Sequence, residues 1–461
     1  MISKKLCEQI LLTAMSSGAD FAELYAQNTQ SNYINFIDGR VDSINDVILS
    51  GVGIRIFNGT KTVYASTTDL TEVGLINCAK TVASAFVDIK HTEIQNINLY
   101  ERVVRNSHFI ERNPANAPAK IKTDILKTAC FAAKNFNSKI SQVNGAFMDS
   151  DHKFLVANSD GIYVKDRRIL TRISVSAIAS NNGENQSGFH APGKQAGLEM
   201  FDIIKPQDVG THAAAQAITN LNADYCKAGQ MPVAIENSFG GVIFHEACGH
   251  SLEATSVGIG TSQMAGKLGQ KIANEKVTAI DDGTMPGEWG SINIDDEGNA
   301  PQKNILIENG VLKSYMVDRL GSRRMSTPMT GNSRRQGYEY EPTSRMTNTY
   351  IANGKDKNED IIASIEYGLY AKELGGGSVN PLTGAFNFSV CEGYMIRNGK
   401  ICEAVRGASL IGKGSQILQD IDMVGQNLEM GQGMCGSSSG SVPVNVGQPL
   451  IRVSKITVGG R

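Results

Sequence analysis

Two of the chain's seven histidines flank a glutamate in the run Phe244-His245-Glu246-Ala247-Cys248-Gly249-His250-Ser251-Leu252-Glu253. Imidazole nitrogens are good zinc ligands, and a carboxylate beside the first ligand can take a proton from water activated by the metal. The chemistry this suggests is metal-assisted hydrolysis, with Glu246 as the base. In the familiar H-E-x-x-H motif the histidines are four apart and share one face of a helix. Here they are five apart, so on a regular α-helix the second ring is turned by roughly 140° from the first. A π-bulge would realign them, with Gly249 loosening the turn. The alternative is an ordinary helix carrying two unrelated histidines. Two nitrogens do not complete a zinc site, so a third protein ligand must come from elsewhere in the chain.

Other groups could do chemistry near such a centre. Glu253 can hydrogen-bond the outer nitrogen of a ligand histidine or form a surface salt bridge. Arg334 and Arg335, with Asn332, could grip a peptide carboxylate or an oxyanion, but structural ion pairing is the preferred reading. Asp281, Asp282, Asp295, Asp296 and Glu297 lack the spacing of a calcium loop, which favours turn and solvent roles. Cys248, between the histidines, reads as structural.

The elements that must position these groups follow from periodicity. Leu6, Ile10, Leu11 and Met15 predict a helix over residues 3–17. Two hairpins are expected next: 33–36 with 41–47 around Asp38-Gly39, and 52–57 with 62–65 around Asn58-Gly59. Helices are expected at 70–86, 119–136 and 206–223, with β-structure from 143 to 179, a turn at Asn158–Gly161, and a mobile loop at 181–188. Asn237 or Ser238 could cap a helix running from about 240 through the motif to 254. Beyond it, short apolar runs such as 305–312 alternate with Gly, Asn and Asp. The reading is an α+β chain of two domains. Residues 1–226 carry helices on an antiparallel sheet, and residues 227–461 form a β-rich unit holding the motif helix.

Composition excludes several classes. A formal charge of −2 with dispersed Lys and Arg offers no basic patch for nucleic acid. No apolar run reaches the length of a membrane span, and Glu8 and Gln9 interrupt the only stretch that might serve as a signal peptide. The eight cysteines show neither a C-x-x-C pair nor a dense framework, which places the chain in the reducing cytoplasm.

The motif segment 240–250, together with Asp295-Asp296-Glu297-Gly298, Thr330-Gly331-Asn332-Ser333-Arg334-Arg335, residues 345–350, Met434-Cys435-Gly436 and the 442–449 run, resembles the TldD/PmbA family of gyrase modulators and zinc metalloproteases. The resemblance covers nearly the whole chain. It implies that His245, His250 and Cys435 hold Zn2+, that a fourth position is left for water, and that Glu246 is the general base. It further implies a dimer, either with a second copy or with a TldE/PmbA-like subunit that lacks the motif, and a peptide or unfolded polypeptide as substrate. Two other readings are a scaffold subunit that keeps a structural metal and a metal-dependent amide hydrolase of small molecules.

Overall fold

The computed structural model describes residues 2–86, 96–379 and 383–461. Helix α1 (Lys4–Ala14), capped by the Ser3 side chain on Leu6 N, precedes a meander of β1 (Phe21–Ile37), β2 (Arg40–Asn58) and β3 (Lys61–Thr67). The two expected hairpins are therefore one three-stranded unit: β1 starts before Tyr33, and residues 41–57 run unbroken. Gly51 and Gly53 lie inside β2 because Tyr338 and Tyr64 occupy the space a Cβ would take, so here glycine marks a close approach rather than a turn.

Helix α2 (Glu72–Ala83) and helix α3 (Ala119–Lys134) fall inside their expected ranges, and β4 (Ile140–Asn158) and β5 (Ile162–Asn181) form the expected hairpin. The loop expected at 181–188 is instead β6 (Glu184–His190), paired with β5 across a turn at Asn182-Gly183. Both turn residues have positive φ, which fits the twist of a tight hairpin, and polar composition alone concealed the strand. Helix α4 (Pro206–Asn222) completes this half. The sheet runs β3-β2-β1-β4-β5, with Tyr100–Arg102 at its far side. Helices α1 and α2 pack on Leu24, Ile54 and Leu155, while α3 and α4 pack on Phe36, Phe147 and Val175. Tyr25, Phe154 and Val164 meet Ile294 and Tyr338 of the second half.

The second half holds β7 (Gly229–Ile235), α5 (Val242–Ala247), β8 (Ala279–Asp282), β9 (Asn348–Ile351), β10 (Tyr367–Val379), β11 (Ala385–Arg397), β12 (Ser409–Lys413), β13 (Glu429–Ser437), β14 (Gly440–Gln448) and β15 (Ile451–Gly459). Strands β10-β7-β15-β12-β11 close on themselves, because β11 also pairs with β10. This barrel has no counterpart in the sequence reading, which gave only β-rich structure. A second sheet runs from Val311–Leu312 and Lys303–Glu308 through β8-β9-β14 to β13 at its edge. Helix α5 buries Ile243, Phe244 and Ala247 in the core shared by the barrel and this sheet. Strand exceeds helix, 44% against 22%, in a mixed α and β fold.

Candidate metal centre

The motif does not lie on one helix. A 3-10 turn, Phe239–Gly241, leads into α5, which stops at Ala247; Cys248 then leaves helical geometry (φ −135°, ψ −42°), and a second 3-10 turn spans Gly249–Leu252. The five-residue spacing is thus resolved by a break in place of the expected π-bulge. Neither expected cap acts as one: the Asn237 side chain donates to Asn427 O at 2.9 Å, and Ser238 sits at φ 57° with no side-chain cap. Gly241 and Gly249 are explained by space. A Cβ on Gly241 would run into the Gly447 backbone of β14, and one on Gly249 into Met346 Sδ.

This break brings together the residues that the sequence singled out. His245 Nε2 lies 3.3 Å from Cys435 Sγ, and His250 Nε2 lies 3.4 Å from the same sulfur. The three ligand atoms fall within 4.8 Å of one another. A tetrahedral zinc with ordinary bond lengths separates N and S ligands by about 3.5 Å, so the donor set fits that ion. Two imidazoles and a thiolate also match the borderline-soft preference of zinc. Among the described residues, no fourth histidine, cysteine or carboxylate joins the cluster. Glu246 remains partly exposed, with its carboxylate 3.9 Å from His250 Nε2.

The surrounding groups set the charge of the site. Burial works to raise the Cys435 thiol, but the two histidines beside it override this and hold it at about 4. Burial likewise disfavours charge on His250, yet Glu253 and the Cys435 sulfur raise its pKa well above the usual imidazole value. Glu253 is buried and accepts from His250 Nδ1 at 3.2 Å, which resolves its two sequence readings in favour of the ligand contact. Cys248 is pushed up to about 12 by burial, as a structural thiol should be.

Comparison with known proteins identifies the family. Residues 22–86, 112–221 and 228–460 match the first, central and C-terminal domains of the PmbA/TldA metallopeptidases. The chain belongs to the PmbA/TldD metallopeptidase family. A metalloprotease TldD homolog of Haemophilus influenzae is 35% identical over 96% of this chain and 93% of its own length. A gyrase modulator from Thermotoga maritima superposes with a TM-score of 0.80 at 21% identity, covering 99% of this chain and all of its own. TldE from Thermococcus kodakarensis superposes at 0.77 with 19% identity, over 98% of this chain and 99% of its own, a likeness of fold. The chain is therefore a metallopeptidase.

Several residues that frame the PmbA/TldD site had other readings in the sequence. The acidic cluster is buried rather than solvated. Asp281 accepts from Thr347 N and Asn332 Nδ2 at 2.7 Å, which fixes the strand behind Met346 and Gly249. Arg335 pairs with Glu23 at 2.9 Å, as structural ion pairing predicts, but Arg334 has no carboxylate partner among the described residues and donates to Met346 O at 2.7 Å. Arg345, fully buried, opens the 345–350 segment that carries the resemblance but had no assigned role. It donates to Ser439 Oγ and Gly440 O at 2.9 Å each and also to Cys435 O, clamping the hairpin that carries the sulfur. A buried arginine leaves no periodic signal, so spacing could not have found it.

Proposed function

We propose that this metallopeptidase uses zinc held by His245, His250 and Cys435 to cleave extended or unfolded peptides, with Glu246 as general base. The observation that carries the reading is the convergence of two Nε2 atoms and one thiolate from elements 185 and 190 residues apart, with a partly exposed carboxylate beside them. A bound zinc would supply Lewis acidity, polarising a peptide carbonyl and acidifying water. Glu246 accepts the proton of the attacking water and delivers it to the leaving amine. Glu253 holds Nδ1 of His250, which leaves Nε2 free to face the metal. The three-residue donor set and the partial exposure of Glu246 support a catalytic site over a closed structural one.

Strand β13, which carries Cys435, lies at the edge of its sheet. An extended peptide can lie along this edge beside the metal with little side-chain selectivity, bonding backbone groups other than the carbonyls of Gly433 and Cys435, which Trp289 and Arg345 hold. Pairing with a second copy or a TldE-like subunit, and division of the chain near residue 227, belong to the same proposal. All eight cysteines are unpaired, which supports the cytoplasmic placement. No helix among the described residues is long and apolar enough to cross a membrane.

The test is metal analysis and peptide cleavage on the purified protein, with and without a chelator. One zinc per chain and activity that falls with its removal are expected; full activity without metal would overturn the reading.

A further inference from the structure

A cavity of about 690 Å³ opens where the two halves of the chain meet. The N-terminal sheet contributes Arg172 and the Phe189–Pro192 stretch, α4 contributes His212, and the second half contributes Phe239, Lys372 and the β13 residues up to Met434. The cavity therefore runs along the edge strand to the residue before Cys435.

The charges in it are unequally matched. Glu373 accepts from His212 Nε2 and Gln216 Nε2, Glu236 accepts from Tyr370 at 2.5 Å and Asn427 at 3.0 Å, and Lys372 pairs with Glu392 at 2.8 Å. Among the described residues, Glu429 also lines the cavity without an ion pair, and Arg172 has no carboxylate partner. Its Nε donates to Ala191 O at 3.2 Å, and the guanidinium lies 5.4 Å from the centre of the Trp289 ring. The forked end of the side chain is left without an anion while partly withdrawn from water, and burial lowers its pKa with no carboxylate beside it to raise it. A guanidinium so placed suits a carboxylate, which it can grip with two parallel hydrogen bonds.

The position relative to the metal centre is also defined. Trp289 Nε1 donates to Gly433 O at 2.9 Å, so the ring under Arg172 is tied to β13 two residues before Cys435. Two strand residues span about 7 Å, and the ring adds at most a similar distance, so Arg172 lies within about four extended residues of Cys435. We propose that Arg172 is a carboxylate anchor for the peptide substrate. It would receive a C-terminal carboxylate, or an Asp or Glu side chain, placed within about four residues of the bond that is cut. The inference rests on the peptidase reading and adds a specificity that strand addition alone does not give.

Trp289 is the chain's sole tryptophan and is buried against Arg172, so its fluorescence reports what binds there. Three versions of one peptide are offered to the zinc-loaded protein: a free C-terminal acid, the C-terminal amide, and the amide with Glu at the corresponding distance. Stopped-flow Trp289 fluorescence, read before turnover, gives binding, and product analysis gives cleavage. Both carboxylate forms should bind about 10- to 100-fold more tightly than the plain amide, as charge-assisted hydrogen bonds predict. A preference for only one of them identifies which carboxylate the site takes. Arg172→Gln should abolish the preference and Arg172→Lys should keep part of it, with thermal melts confirming that both variants fold. Equal binding of all three peptides, or a preference that survives Arg172→Gln, overturns the anchor. A preference lost in Arg172→Gln without cleavage of any peptide upholds the anchor and defeats the proposed action on extended peptides; equal cutting without preference does the reverse.

Discussion

At the scale of single residues, the centre separates binding the metal from using it. Cys435 joins the histidines only through its sulfur, so Cys435→Ala should reduce bound zinc sharply; unchanged stoichiometry by elemental analysis would remove it from the ligand set. Glu246→Gln preserves shape but cannot accept a proton. It should retain zinc and lose cleavage by about 10²- to 10⁴-fold, the usual range for a general base. Activity within a few-fold of the wild type would count against that role. The metal-free site should also respond to pH in a defined direction. With its pKa raised, His250 carries a proton near neutrality that zinc must displace, whereas Cys435, at about 4, has already lost its own. Zinc affinity should therefore rise with pH from about 4 until His250 itself loses its proton, above the usual imidazole range, with proton release visible as a buffer-dependent heat in calorimetry. A flat pH profile would contradict the assignment of charges.

At the scale of elements, the site depends on how closely α5 approaches the β13-β14 hairpin. Gly241 sits against the backbone of Gly447, which cannot rotate away as a side chain can. Gly241→Ala should force the helix from the hairpin, with an overpacking cost of about 1–3 kcal/mol. It should also weaken zinc retention, because His245 and Cys435 lie on the two separated elements. A variant that loses stability in urea yet holds zinc as tightly as the wild type would show the spacing to be unimportant. Much of this could be read beforehand. The histidine pair and Glu246 were visible as a motif, and helices α2, α3 and the β4-β5 hairpin as periodic patterns. The break at Cys248 was not, because a five-residue spacing states that a helix must deform without saying how. The barrel also escaped, because closure depends on pairing between β10 and β11 and their neighbours that no local pattern records. β6 was hidden by polar residues on a strand whose support comes from β5 and α4.

At the scale of the whole molecule, the two halves meet through buried charge. Arg55 is nearly inaccessible and bonds both Glu23 of its own sheet and, at 2.5 Å, Glu297 of the second half. Removing it leaves two carboxylates without their shared partner, so Arg55→Met should cost about 3–5 kcal/mol in chemical denaturation. A loss under 1 kcal/mol would mean that the contact contributes little. Nearby, burial and the Glu297 charge raise the carboxyls of Asp295 and Asp318. A carboxyl raised in the folded state stabilises it below the unfolded value of about 4 and loses that contribution as pH rises through the folded value. Asp295→Asn should accordingly flatten a decline in stability from pH 5 upward, measured by urea unfolding.

The separation of the ligands along the chain has a consequence for synthesis. Cys435 follows His250 by 185 residues, so at 5–20 residues per second the ribosome needs roughly 10–40 s to supply it after the histidines have been made. Through that interval the emerging polypeptide carries the motif without its thiolate. The nascent chain is itself an unfolded polypeptide, the kind of substrate proposed for the finished enzyme. If Cys435 completes the site as proposed, its place on β13 means that cutting activity begins only after the segments most open to attack have been made and have had time to fold. Under that reading, sequence order acts as a timer that protects the protein from itself.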